Sequence, residues 1–304
     1  IPPLDDCRER LVSSLESRVG AQQNLLGETA EHARRLVLDS PVLADPQLRS
    51  IRDLGSTGAD FMSSAVVDIT YSPETPMEEA IERVRSEARD AINEGAEVIV
   101  LSDQHVGHER IPIPSLLVTG AVHHDLVRSG LRNQAGLVIE SADPRAVHHI
   151  ATLVGYGADA VNPYLAYQTI ADVVAGPDGA NEEEAIAAYK KALEDGLLKT
   201  MAKMGISTVE SYQGAQIFEA VGLDSSFVAE YFEGTEIRTE GIGIDVIEED
   251  ARTRHAVGYG SDPELERQGE YEHRSDGMHH QWNPETVGTL QQAVRAGDYE
   301  KYKE

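Results

Sequence analysis

Asp103, His105 and His108 fall within six residues, directly after the apolar run Val98 to Leu101. A carboxylate beside two imidazoles can move protons near neutral pH, or it can form a polar loop that meets a partner. No nucleophile or cofactor fingerprint accompanies it, so the contact-loop reading is favoured. Histidine pairs occur at 123/124, 148/149 and 279/280. Adjacent helical residues point about 100° apart, and no HExxH or His-plus-carboxylate spacing goes with these pairs, so they predict packed or solvated imidazoles and no metal site. Lys199 and Lys203 stand one helical turn apart and could cradle an anion, but a solvated helix face near a C-terminus gives the same pattern. GIGID at 241–245 is not a dinucleotide fingerprint, and no GxxxxGK[ST] run is present.

Cys7 is the only cysteine, so this chain cannot form an internal disulfide or ligate an iron-sulfur cluster or Cys-rich zinc site by itself. The net charge of -27, from 53 acidic against 26 basic residues, argues against nucleic acid and anionic membrane as partners. Self-repulsion of this size, with 20 Arg to 6 Lys, predicts a source organism rich in salt. No apolar run approaches the ~18 residues that span a bilayer, and IPPLDDCRERL lacks the order of a signal peptide. A cytoplasmic location is the expectation.

The elements that would position these groups follow from periodicity. Leu11, Val12, Leu15 and Val19 predict a short helix within 5–19, and the turn-rich stretch 24–55 reads as irregular chain with brief helices rather than a core element. From Ser64 the pattern becomes regular. SAVVDITYS reads as a strand, PMEEAIERVRSEARDAINEG as an amphipathic helix with a Gly stop, and AEVIVLSD as a buried strand. A helix follows the prolines of IPIPSLL, then the strand AGLVIESA, a helix opened by Asp143 and Pro144, and the short strand ADAVNPY. This alternation predicts an α/β fold with a parallel β-α-β layer, resembling a partial or open β/α barrel. The strands close on polar residues, at 102–103, 140–141 and 162–164, the end at which such sheets present functional loops. NEEEAIAAYKKALEDGLLKTMAKMG reads as a long helix, and the composition beyond Phe232 as a linker with one or two helices. The predicted divisions are an N-terminal connector at 1–60, an α/β core at 61–232 and a linker at 233–304.

Several long words then carry a resemblance. GLLKTMAKMGISTVESYQGAQIFEAVGL at 196–223, GYGADAVNPYLAYQTI at 155–170, AVHHDLVRSGLR at 121–132, PIPSLL at 112–117, PPLDDCRERLVSSLES near the start and HHQWNPETVGTLQQAVRAGDYEKYKE near the end resemble, in order, the glutamate synthase large-subunit family around its central domain. Such an enzyme makes two glutamates from glutamine, 2-oxoglutarate and reductant. A Cys-first glutaminase releases ammonia, a tunnel carries it, and an FMN barrel with an iron-sulfur cluster uses it.

The resemblance implies that this chain is the connecting domain and ammonia-channel wall, not catalytic alone. Its partners would be the glutaminase and FMN domains and a reductase subunit or ferredoxin. FMN and the cluster would belong to the complete enzyme rather than to this chain. The alternative is a free-standing scaffold or binding protein derived from the family. Asn162, Pro163, Tyr164, Ser207, Ser211, Tyr212, Gln213 and Gln216 are the expected channel or interface residues. Two positions depart from the family words: Ser13 stands where Met is usual, and Gln213 where Arg is usual. Ser13 and Ser14 are the candidate contacts to a partner's flavin site.

Overall fold

The computed structural model describes residues 11–24, 26–55, 61–175, 181–261, 269, 272–275 and 277–303. Cys7 and most of the first word lie outside them. The described chain begins with the antiparallel pair β1 (Ser17–Val19) and β2 (Leu36–Leu38), then α1 (Asp45–Arg52). The helix expected through residue 19 is corrected at its end, because Ser17–Val19 is strand. Val19 is fully buried there, and the strand places it against the sheet described next.

That sheet is built by β3 (Ser64–Asp68), β5 (Val98–Ser102), β7 (Gly136–Glu140) and β8 (Ala160–Asn162), all parallel and side by side in that order. Between β3 and β5 come the two-residue strand β4 (Thr70–Tyr71) and α2 (Met77–Asn93). β6 (Ile111–Pro112) pairs with β4 in a separate antiparallel ladder, and α3 (Ser115–Arg128) follows it. α4 (Val147–Gly155) links β7 to β8. Asp143 and Pro144 do not open α4 as expected: Ala146 is its N-cap, and the Asp143 carboxylate instead accepts the Ser115 amide, 2.9 Å away, at the start of α3.

Strand alternation divides the sheet into two buried faces. Val67, Ile99, Leu101, Leu137, Ile139 and Val161 point to one side, where α2, α3 and α4 cover them. Val98, Val100, Val138 and Ala160 point to the other, and the cover there is Val19, Leu38, Leu43, Leu48, Ile51 and Met62. A parallel sheet needs both faces shielded. The stretch 24–55, expected as irregular chain outside the core, supplies that second layer. It also closes the β8 edge: the Val161 amide donates to the Pro41 carbonyl at 2.7 Å, and the Leu43 amide donates to Val161 at 2.8 Å.

α5 (Tyr164–Val174) follows β8, and α6 (Glu182–Met204) is the expected long helix. Asn181 caps α6 by accepting the Glu183 and Glu184 amides, and Gly205 ends it at φ 74°. Lys199 and Lys203 lie on its exposed face. α7 (Val209–Tyr212) is a single turn. β9 (Glu219–Leu223), α8 (Ser225–Tyr231) and β10 (Glu236–Ile242) then form a small parallel β-α-β unit, whose Phe227, Val228 and Tyr231 enter the main core.

α9 (Ile244–Gly258) packs Ala251 into the same core, and its Glu248 accepts the Met77 amide at the start of α2. Residues 233–255 are thus structured chain rather than linker, because β10 and α9 both find partners on the core. Contacts group Ile1–His255 as one unit and Ala256–Glu304 as a second. The second contains α10 (Pro284–Ala296), capped by Asn283 and ended by Gly297, and α11 (Tyr299–Lys303).

Candidate functional site

Parallel register aligns one residue from each strand at the C-terminal end of the sheet. Asp68 faces Ser102, Ser102 faces Glu140, and Glu140 faces Asn162. The chain places its own donors on this row. Both Glu140 oxygens lie 2.9–3.0 Å from one Arg52 nitrogen on α1. Asp68 accepts from Thr70, from Arg110 and from His105, the last at 3.1 Å. Burial pushes the Asp68 carboxyl up, but the Thr70 and His105 hydrogen bonds and the Arg110 charge outweigh it and hold the group below the usual carboxylate range.

Asp103 turns inward, 2% exposed, and accepts Ser141 Oγ at 2.6 Å and the Ala142 amide at 3.0 Å. Burial raises its carboxyl despite these bonds and one from the Tyr164 hydroxyl. Asp103 and His105 therefore do not act together: His105 pairs with Asp68, a residue that spacing did not single out. The histidine pairs at 123/124 and 148/149 make ring contacts. His123 and His124 meet edge to face at 5.1 Å, His148 packs against Phe218, and no cluster of three metal-ligating side chains occurs among the described residues.

Asn162, Pro163 and Tyr164 lie together at this end, all buried. The Asn162 amide donates to the Leu43 carbonyl at 3.1 Å and to Asp45 at 2.9 Å, tying β8 to the start of α1. Its carbonyl oxygen is buried with no partner among the described residues.

The tail residues lie at the opposite, N-terminal end of the sheet. Gln213 donates to the Ala158 carbonyl at 2.9 Å and to Asp159 at 3.0 Å, immediately before β8. The Ser14 amide donates to the Ser207 carbonyl at 2.8 Å, so the N-terminal word and the tail word meet there. Ser211 is exposed and accepts from Thr208 at 2.9 Å, while Tyr212 is fully buried. Gln216 is exposed and holds φ 53°, the one left-handed non-glycine residue among those described.

A sequence model described as the glutamate synthase central domain matches residues 1–224. The chain belongs to the glutamate synthase central domain family. It is 39% identical over 306 residues to the glutamate synthase [NADPH] large chain of Bacillus subtilis, covering 100% of this chain and 20% of that protein. Against the glutamate synthase [NADH] of Schizosaccharomyces pombe it is 41% identical, with 100% and 15% covered. For the ferredoxin-dependent enzyme of Pyropia yezoensis the figures are 35%, 99% and 20%. This chain thus spans a fifth or less of the length of these relatives. Among solved structures, the flavin-binding domain of baker's yeast flavocytochrome b2 matches at 16% identity and TM-score 0.38, over 74% of this chain and 46% of that one. Nothing about the site follows from a match at that level.

Within this glutamate synthase central domain, the two departures from the family words can be placed. Gln213 gives a neutral donor to Asp159, whose other oxygen takes Arg132 and the Leu137 amide. The Ser13 hydroxyl is buried without a partner among the described residues. One cysteine cannot ligate an iron-sulfur cluster. At the strand ends Asp68, Asp103 and Glu140 are each already held by partners within the chain, Arg110, Ser141 and Arg52 respectively. No helix of the described residues is long and apolar enough to cross a membrane.

Proposed function

We propose that this domain connects the glutaminase and FMN domains of a glutamate synthase that makes two glutamates from glutamine, 2-oxoglutarate and reductant, and that it forms part of the wall along which ammonia passes. The family match over 1–224, on a chain a fifth or less of its relatives' length, carries this reading. The named relatives include NADPH-, NADH- and ferredoxin-dependent enzymes, so a reductase subunit or ferredoxin is the proposed source of electrons. FMN and the iron-sulfur cluster are assigned to the partner domains, and the cytoplasm to the whole.

Two polar groups at opposite ends of one rigid sheet suit a connector. Asn162, Pro163 and Tyr164 would serve one neighbour, and Ser207, Ser211, Tyr212, Gln213 and Gln216, with Ser13 and Ser14 beside them, the other. Amides and hydroxyls can hydrogen-bond neutral ammonia, whereas carboxylates would hold it as ammonium. Gln216 is the better residue to change, because it is exposed, while the buried Asn162 also fastens β8 to α1. In a complete synthase carrying this domain, Gln216→Ala is expected to raise the ratio of glutamine hydrolysed to 2-oxoglutarate consumed above one, with glutaminase and ammonia-dependent rates measured separately. A ratio held at one would overturn the wall assignment for this residue.

A further inference from the structure

A pocket of about 350 Å³ lies on the helical side of the sheet, away from the polar row at the strand ends. Its walls are the end of α3 with His123, His124 and Arg128, the Tyr156 turn after α4, the 214–218 loop with Phe218, and the 233–235 turn with Glu233. At this volume it falls at the small end of ligand pockets, which run roughly 300–1,000 Å³. Glycines shape it. A Cβ at Gly155 would stand 2.4 Å from the Phe218 ring, and one at Gly157 would stand 2.1 Å from His123 Nδ1. Tyr156 and Phe218 stack at 5.8 Å along one wall, and the Tyr156 hydroxyl is fixed by Thr235 at 2.7 Å.

The polar groups define what would fit. His123 Nδ1 accepts from Arg132 Nε at 3.1 Å, so in the neutral ring the proton sits on Nε2, which has no hydrogen-bond partner among the described residues. Burial, with Arg132 next to it, pushes this imidazole down to about 3, so the ring stays neutral. His124 Nε2 is buried and also lacks a partner among the described residues. At the mouth, Arg128 and Glu233 face each other at 3.4 Å, longer than a well-made ion pair of about 2.8 Å, and both are more than a third exposed. A simple anion would meet Glu233, and a simple cation would meet Arg128. A wholly apolar molecule would strand the two imidazoles. A small ligand carrying both charges and no net charge avoids all three penalties.

We propose that this pocket binds a free α-amino acid, with its carboxylate on Arg128 and the His123 Nε2–H, its ammonium on Glu233, and its side chain along Tyr156 and Phe218. The site is separate from the polar row at the C-terminal strand ends, but Gln216, the channel-wall residue proposed above, also lines it. Binding is therefore tested on the 304-residue chain, where coupling plays no part. The test is calorimetric titration and thermal unfolding of the 304-residue chain with each of the twenty common L-amino acids, up to roughly 10 mM, a range that reaches binding in the millimolar class. Acetate and methylamine serve as single-charge controls. At least one amino acid is expected to give a saturable heat and a raised midpoint, weakened tenfold or more by Arg128→Gln and by Glu233→Gln, with neither control matching it. Both substitutions are on exposed side chains, so each variant should keep the parent's circular dichroism and unfolding midpoint without ligand. No saturable response, an undiminished response in both variants, or an equal response to acetate or methylamine would each overturn the assignment.

Discussion

His123 shows how one side chain couples packing to proton balance. Burial, the Arg132 guanidinium and the adjacent His124 keep its ring neutral down to about 3, while in the unfolded chain it takes a proton near the ordinary 6.5. A base whose folded pKa is depressed adds stability that is complete above the unfolded value and is lost as pH falls below it. Between pH 6.5 and 5 the unfolded chain holds up to one proton more at this site, worth at most about 1.4 kcal/mol per pH unit. In His123→Gln the amide oxygen can still accept from Arg132, but nothing titrates. The stability gap between parent and variant should therefore shrink by up to about 2 kcal/mol over that range, read from urea unfolding at the two pH values. A gap that does not change with pH would show that His123 is protonated in the folded state.

Close approach between helices decides how α8 meets α3. Gly120 lies mid-helix, and a Cβ there would come 2.5 Å from the Tyr231 carbonyl oxygen and 2.8 Å from the Phe232 ring. The Tyr231 oxygen is backbone, so no rotamer change relieves the clash and α8 itself must shift. Gly120→Ala should therefore destabilise by about 1–3 kcal/mol, although alanine is the better helix former by about 1 kcal/mol. A thermal midpoint below the parent's checks it; an unchanged or raised midpoint would mean that α8 moves freely. A Cβ at Gly196 would stand 2.3 Å from the Val147 side chain, between α6 and α4. Neither glycine sits at a turn or in a left-handed conformation, so nothing local in the sequence marks them as packing positions.

Across the whole molecule, 53 carboxylates face 26 cationic side chains. Many of the arginines are already committed to pairs such as Arg52–Glu140, Arg89–Asp125 and Arg132–Asp159, so the excess acidic charge repels itself at long range. Salt shortens that range from about 10 Å at 0.1 M to about 3 Å at 1 M. The unfolding midpoint should rise between roughly 0.1 M and 1 M KCl, as measured by a thermal melt. A fall or no change would overturn both the screening account and the expectation of a salt-rich source.

The α/β alternation from Ser64 to Asn162 was legible in the sequence, because strand and helix periods differ and each element carries its own period and stop signals. Asn181 and Gly205 mark the ends of α6 as local chemistry requires. The family was legible for another reason: long words resembling it stand in order along this chain, with Ser13 and Gln213 as departures. The second sheet face was not legible. Val19, Leu43 and Ile51 are separated by turns and show no common period, and only the second apolar face of β5, β7 and β8 gives them a reason to be buried. The same holds for the pairing of His105 with Asp68, 37 residues apart, and for the separation of Asn162 from Gln213 to opposite ends of one sheet. Local sequence sets which residues form strands and helices. Which strand ends become neighbours, and which carboxylate meets which cation, is set by parallel register, and that exists only once the sheet has assembled.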